Sequence, residues 1–447
     1  MQLCNWGNYP LIETTMEPPC DEPAALECVT IGTKSIGRGL GRCYGDSALN
    51  DMLVISSNRL DHMLEFNPET GVLIAESGVS LAEIVEAFAP RGWFVPVTPG
   101  TKFVSLGGAI ASDVHGKNHH VSGTFGQHVL FFDIITAERG LVRCSPNENT
   151  ELFRATCGGH GLTGFITKVA VQLVRIPSVW IRQRGVKTRN LLEIMEAFEE
   201  YAHYSFSVAW IDCLKGGSAM GRSFLMCGEF ASPDELSGEK RTSPFTVPAV
   251  RPLSVPFNFP KIALNSLSVK TFNALYYGKA PARVSDSIVS YNTFFYPLDA
   301  IHHWNRIYGK RGFTQYQFVI PKEAAKEGLP RVLKRISESG LGSFLAVLKL
   351  FGKQERYHGN ISFPTEGYTL ALDFPITRKL FPVLDELDHM ILDYGGRHYL
   401  TKDVRISPET LRRGYGKTLD EFIEVKAKWD PHQHFCSVQS RRLNLTK

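Results

Sequence analysis

The sequence predicts an α+β protein of two domains. Three observations carry that expectation. A chain of 447 residues exceeds what one ordinary hydrophobic core accommodates. The first 175 residues interleave short apolar strands with helical patterns and many glycine turns. The later part sets runs of buried-strand character between long helical patterns.

Taken in order, VLIAESG (72–78) reads as a strand. SLAEIVEAFAPRG (80–92) reads as an amphipathic helix. Ser80 caps it, Glu83 completes a capping box, and Gly92 closes it. VLFFDIITAERGLVRCS (129–145) predicts a hairpin turning near Glu138–Gly140, and FITKVAVQLVRI (165–176) a further strand. NLLEIMEAFEEYAHY (190–204) predicts a helix and FSVAWIDCL (206–214) a strand. The stretch from about 230 to 285 shows no period. QYQFVIP, FLAVLKLFG and YTLALDFPI read as buried strands, with helices near 322–338 and 378–394. The tail from about Thr401 carries a helical pattern and then DPHQHFCSVQSRRL.

Composition narrows the function classes. The chain is 43% hydrophobic and 21% charged, as soluble globular proteins are. A formal charge of +4 gives no polycationic surface, so no nucleic-acid partner is expected. No run of about eighteen apolar residues predicts a spanning helix. The start, MQLCNWGNYPLIETT, lacks the basic and apolar regions of a secretory leader. Nine cysteines without CxxC pairs suit reduced thiols in the cytoplasm. Between Lys240 and Arg283 lie seven Lys or Arg and no Asp or Glu, among Pro, Leu, Phe and Val. That segment suits either a mobile lid or a membrane-facing patch.

The densest chemical signal is glycine. GRGLGRCYGDSALN runs between Ile36 and Asp51. Glycine lets the backbone take positive φ and approach a ligand, and successive amides can cradle phosphate. It is not the dinucleotide fingerprint, because Gly39 and Gly41 would require glycine where Tyr44 stands. Taken alone, this loop is equally well a surface turn. A second loop, VTPGTKFVSLGGAIASDVHGKNHHVSGTFG (97–126), holds six glycines and three histidines in thirty positions, and CGGHGLTG (157–164) is a third. Three such loops suit a long ligand lying on irregular backbone, such as a pyrophosphate-bridged dinucleotide. HGKNHH predicts no metal site, since glycine breaks the helical spacing of His115 and His119 and no HExxH accompanies them.

RGLGRCYGD, TPGT, GGAIASDVHGKNHH, FGQHV, ELFRATCGGHGLTG, WID, NTFFYPLD, WNRIYG, GFTQYQFVIP, LKLFG, ISFP, DFPI, YLTKDVR and the terminal DP…F…S…RRL occur in this order over nearly the whole chain. On these motifs the sequence resembles the vanillyl-alcohol-oxidase-type FAD-linked oxidases. Within them it is similar to the oxidase subunits of decaprenylphosphoryl-β-D-ribose 2′-epimerases. The resemblance implies a PCMH-type FAD-binding domain over residues 1–179, a substrate domain on an antiparallel sheet over 180–396, and a C-terminal segment, 397–447, returning to the first domain.

The resemblance also assigns residues. FAD would be held by Arg38, Gly39, Leu40, Gly41, Arg42, Cys43, Thr98, Pro99, Gly100, Thr101, Gly107, Ala109, Ser112, His115, Gly116, Asn118, His119, Gly159, Gly161, Gly164 and Ile166. Arg42 stands where relatives with covalent flavin carry the linking histidine, so the flavin is expected to be non-covalent. Lys402, His115 and Tyr44 match catalytic positions. Gln315, Gln317, Lys349, Phe351, Trp210, Tyr296, Thr369 and Ala371 match the substrate pocket. Thr369 and Ala371 depart from the family's Asn and Cys. The implied reaction oxidises the 2′-hydroxyl of a polyprenyl-phosphoryl-β-D-ribose to the 2′-keto sugar, the first half of epimerisation to an arabinose donor for cell-wall or surface glycans. The implied partners are the lipid-linked sugar phosphate, an NAD(P)H-dependent ketoreductase and a quinone or other electron acceptor. The implied location is cytoplasmic, or peripheral at the inner face of the membrane or facing the periplasm. Two alternatives stand beside it: an aldonolactone or alditol oxidase acting on a free sugar, and a flavin-binding module without catalysis.

From the residues alone, several of these positions have plainer readings. Lys402 could be a surface lysine paired with Asp403. His115 could be a satisfied structural histidine. Lys349 could lie on a solvated strand face, although LAVLKLFG is otherwise apolar and a buried lysine there needs an anionic partner. Trp210, Phe351 and Tyr296 could be core aromatics.

Overall fold

The computed structural model describes residues 1–30, 32–248, 253–260, 266–281, 284–343, 345–353 and 359–447. Near the N-terminus a parallel three-stranded sheet sets Leu53–Ser56 between Thr15–Glu17 and Ser35–Arg38. Beside it lies an antiparallel five-stranded sheet in the order Gly140–Cys144, Val129–Thr136, Phe165–Gln172, Val72–Glu76, Met63–Phe66. The predicted hairpin is its edge, with Thr136 opposite Gly140.

The first helix with a clear apolar face, Leu81–Phe88, forms for local reasons. The Ser80 hydroxyl accepts from the Glu83 amide, and the Glu83 carboxylate accepts from the Ser80 amide. Leu81, Ile84, Val85 and Phe88 fall on one side and are buried. A 3₁₀ turn, Ala89–Arg91, then ends at Gly92 in the left-handed conformation.

The second large body is one antiparallel sheet of eight strands. Its order is Val284–Ser290, Trp180–Thr188, Ser223–Phe230, Phe206–Ile211, Ala346–Phe351, Gly367–Pro375, Phe313–Pro321, Arg397–His398. Register decides what each face carries, because side chains alternate along a strand. Tyr316, Phe318, Leu348, Leu370, Leu372 and Phe374 point to one side, where helices Lys322–Ser339 and Leu380–Asp393 cover them. Full burial of each such side chain contributes about 1.5–3 kcal/mol. On the other face Gln315 sits opposite Asp373, Gln317 opposite Ala371, and Lys349 opposite Thr369.

The tail returns to the front of the chain. Ser35 forms a bridge with Phe435, and Leu411, Tyr415, Leu419, Phe422 and Leu443 pack with Ile36, Val54, Ala155 and Leu162. The buried Lys426 ammonium donates to Leu162 O, Phe435 O and Asp430, which ties helix Lys417–Trp429 to the third glycine loop.

The stretch from 230 to 285, poor in pattern, contains helix Ser266–Lys279. Its pattern is unreadable because apolar Leu267, Phe272 and Leu275 are exposed, not sorted to a buried face. Of the seven basic residues there, Arg251, Lys261 and Arg283 lie outside the described residues. The strand predicted over 206–214 ends at Ile211, and that over 165–176 breaks after Gln172.

Candidate active site

Between the glycine loops and the polar face of the large sheet lies a cavity of about 370 Å³. Gly37 and Gly39–Tyr44 of the first loop, Thr98–Thr101 and Ser112 through Lys117 of the second except Asp113, and His160–Gly161 of the third line it. Opposite them stand Val208, Trp210, Gln315, Gln317, Val347, Lys349 and Ala371, with Tyr399, Thr401 and Lys402 from the connection after the last strand. Three loops far apart in sequence therefore converge with the sheet on one space.

The sequence-derived residues divide by placement. Gly39, Leu40, Gly41, Arg42, Cys43, Tyr44, Thr98, Pro99, Gly100, Thr101, Ser112, His115, Gly116, Gly161, Trp210, Gln315, Gln317, Lys349, Ala371 and Lys402 reach the wall. Arg38, Gly107, Ala109, Asn118, His119, Gly159, Gly164, Ile166, Tyr296, Phe351 and Thr369 stand outside it. Most of the latter support the wall. The Arg38 guanidinium is turned to Asn5, Cys4 O and Ala48 O. Asn118 donates to Pro96 O, and Tyr296 hydrogen-bonds Thr98 at 2.8 Å. Phe351 packs edge-on against His115, ring centres 4.8 Å apart, and lies 4.3 Å from His119. Gly159 and Gly164 are needed for close packing, since a Cβ would fall 2.1 Å from Ala155 O and 2.6 Å from Ile135 O.

His115 is buried among Phe351, Phe363 and Tyr399. Gln317 Nε2 lies 3.1 Å from His115 Nε2 and also donates to the Thr369 hydroxyl, which donates onward to Phe318 O. With Gln317 donating, the imidazole accepts at Nε2 and carries its proton at Nδ1, a buried atom without a partner among the described residues. Burial, and then the charges of Lys349, His119 and Lys402, hold its pKa well below the usual value, so it is neutral.

Three lysines share the cavity. Lys402 Nζ sits 3.9 Å from the centre of the Tyr44 ring, a cation–π contact, and burial lowers its pKa. Lys402 is not paired with Asp403, whose carboxylate accepts from Arg442 and from the amides of Arg405 and Ile406. Lys349 is not on a solvated face either: burial and the neighbouring Lys402 bring it down to about 7. Lys117 falls to about 7 through burial and Lys349, its ammonium donating to Phe294 O and Phe295 O.

Sequence reasoning missed several groups. Lys117 lies inside HGKNHH but was overshadowed by the histidines. Asp373 is buried, accepts from Gln315 at 2.6 Å, and stands two residues from Ala371 on the same strand face; that alternation was the available signal. Asp299 accepts from the Lys102 amide and faces Arg42. Arg442 bridges Asp46 and Asp403, joining the first loop to the Lys402 connection. The Asp46–Arg442 pairing spans nearly the whole chain and leaves no local trace.

The wall fits FAD. The amides of Leu40, Gly41, Arg42, Gly100 and Gly161 have no acceptor among the described residues. Unpaired main-chain donors lining one space suit a pyrophosphate. A Cβ on Gly100 would meet nothing within 4 Å, so the open room lies directly against the backbone. The aromatic residues around His115 suit a planar ring system.

Comparison with known proteins agrees with this geometry. Residues 24–145 match a family described as FAD binding domain. A decaprenylphosphoryl-β-D-ribose oxidase of Mycolicibacterium smegmatis is 35% identical over 99% of this chain and 97% of its own length. An uncharacterized protein of Streptomyces coelicolor is 31% identical over 82% of this chain and 100% of its own. An L-gulono-1,4-lactone dehydrogenase of Mycobacterium tuberculosis is 21% identical over 98% of each chain.

Proposed function

The chain belongs to the FAD-linked oxidase family of the decaprenylphosphoryl-β-D-ribose oxidases, and from that premise we propose that it oxidises the 2′-hydroxyl of a polyprenyl-phosphoryl-β-D-ribose to the ketone. It is an FAD-dependent oxidoreductase of the α+β class. The observation that carries the substrate reading is the convergence of Lys402, His115, Gln317 and Lys349 on one cavity that also holds the glycine loops. Residues 1–179 with 397–447 form the flavin-holding unit in this reading, and 180–396 the substrate unit.

FAD, when bound, supplies the acceptor for the hydride. It would be held by Gly39–Cys43, Thr98–Thr101, Ser112, Gly116 and Gly161. Arg42, stacked 4.2 Å over Trp6, replaces a linking histidine, so the cofactor is non-covalent. The protein must then remove the hydroxyl proton. Lys402, lowered by burial, takes it at Nζ. His115, neutral, donates through Nδ1–H to hold the sugar oxygen. Lys349 and Lys117 give the phosphate its countercharge, which relieves the cost of keeping two ammonium groups close in a cavity. A ketoreductase and a quinone or other acceptor complete the sequence of reactions.

The test is anaerobic flavin bleaching of the holoprotein with a polyprenyl-phosphoryl ribose, a free ribose phosphate and an aldonolactone, and, on a separate sample, acid precipitation, which should release FAD into the supernatant. Rapid bleaching is expected with the lipid-linked sugar. Bleaching by the lactone alone would replace this substrate with a free sugar, and flavin retained in the precipitate would refute non-covalent binding.

A further inference from the structure

Asp373 is the one acidic group on the cavity-side face of the central strands Phe313–Pro321, Ala346–Phe351 and Gly367–Pro375. It is almost wholly enclosed. Its Oδ1 accepts from Gln315 at 2.6 Å, and its Oδ2 faces the Tyr308 hydroxyl at 3.4 Å. Both donors are neutral. A carboxylate so enclosed is costly without a cation, and burial raises its pKa to about 7. The nearby cation is Lys402, which lines the cavity with Gln315 and whose main-chain oxygen accepts from Thr314 on the strand paired with that of Asp373. No direct ion pair joins the two among the described residues, so the ammonium stays over the Tyr44 ring and free to meet a substrate.

The neighbours of Lys402 are few and come from separate elements. Tyr44 and Cys43 belong to the first glycine loop, Asp373 and Lys349 to adjacent strands, and His115 to the second loop. Lys349 and any charge on His115 disfavour the ammonium, whereas Asp373 favours it. Around Asp373 stand Gln315, Tyr308, Tyr44 and Lys402.

We propose that Asp373 is a positioning residue that opposes the desolvation of Lys402 and thereby sets the pH above which Lys402 can accept a proton. It acts through Lys402 and does not touch the reacting atoms. The inference rests on the reading of Lys402 as the base, and its sign is fixed. The carboxylate stabilises the ammonium and raises the pH at which Lys402 becomes neutral, so its removal leaves burial less opposed and lowers that pH.

The experiment titrates Lys402 directly in the holoenzyme. Brief acylation with acetic anhydride across pH, quantified by mass spectrometry on the peptide containing Lys402, gives the midpoint of its deprotonation. The acid limb of anaerobic flavin reduction gives the same group kinetically. In Asp373→Asn both midpoints are expected to fall by about 1 in pH, the lower end for an opposite charge at this range. Asp373→Glu should restore them. Tyr308→Phe, which removes a donor that favours the ionised carboxylate and so leaves Asp373 less ionised, should move them in the same direction by less. It serves if Asp373→Asn loses its flavin. Midpoints unchanged in Asp373→Asn with FAD bound, or in Tyr308→Phe where the first variant loses its flavin, would overturn the proposal. A Lys402→Ala protein that reduces its flavin at the native rate would instead overturn the assignment of the base, whatever the titration shows.

Discussion

At Lys402 three effects compete. Burial disfavours its charge, the Tyr44 ring and Asp373 favour it, and the mutual repulsion with Lys349 disfavours it again. A lysine balanced in this way can accept a proton near neutral pH, which a solvated lysine cannot. General acid–base help is typically worth about 10²–10⁴-fold. Lys402→Ala is therefore expected to keep FAD and slow anaerobic flavin reduction by about that factor, with little change in substrate dissociation constant. Weakened binding with an unchanged reduction rate would make the lysine an anchor. Lys402, His115 and Gln317 were legible because each sits in a motif of its own. Asp373 and Arg442 were not, because their meaning lies in partners on other elements: Gln315 and Lys402 for the first, Asp46 and Asp403 for the second.

Elements were legible where their causes are local. The helix from Leu81 is announced by Ser80 and Glu83 and closed by Gly92, all within thirteen residues of sequence. The strands around Lys349 read correctly as buried, yet which face met the cavity depended on register, a property of pairs of strands. Helix Ser266–Lys279 escaped notice because, Val269 apart, most of its large apolar residues are not gathered against a core. Leu267, Phe272, Leu275 and Tyr276 are exposed, and Lys270 and Lys279 lie among them. Tyr276 also lies 4.7 Å from Trp210 at the cavity wall. An exposed apolar and basic helix beside the cavity fits contact with a bilayer carrying the proposed lipid-linked substrate. Binding to vesicles is expected to rise with anionic lipid and to fall with salt, each basic residue contributing about 1 kcal/mol near the surface. Replacing Leu267 and Leu275 together by Ser should weaken that binding while FAD stays bound. Vesicle binding that is unaltered in the double variant would remove the membrane role from this helix.

Across the whole molecule, the cavity gathers groups from the first loops, the large sheet and the returning tail, and their protonation is linked to folding. Burial lowers the pKa of His115 far, that of His120 less, and brings His160 down to about 4. In the unfolded chain each histidine protonates near pH 6.5. Below that pH the unfolded state therefore binds more protons, and stability falls as pH falls, by about 1.4 kcal/mol per pH unit for each histidine that stays neutral in the fold. For His160 the window runs from about 6.5 down to about 4. The lysines act with the same sign at higher pH. Lys117 and Lys349 lose their protons near 7 in the folded protein, whereas unfolded lysines keep theirs to about 10.4. The unfolded state again binds more protons, so stability rises as pH rises from 7. Most proteins reach a plateau between about pH 5 and 8; here the melting temperature is expected to climb from pH 7 through pH 9, whereas below pH 7 the buried Asp373, raised to about 7, opposes the histidines. Inorganic phosphate should flatten the upper part of that climb, because a bound anion restores the ammonium forms. Differential scanning calorimetry at a fixed excess of FAD, with and without phosphate, measures both effects. A melting temperature level between pH 7 and pH 9 would mean that Lys117 and Lys349 are already countercharged in the folded protein, which would leave them no special affinity for a sugar phosphate.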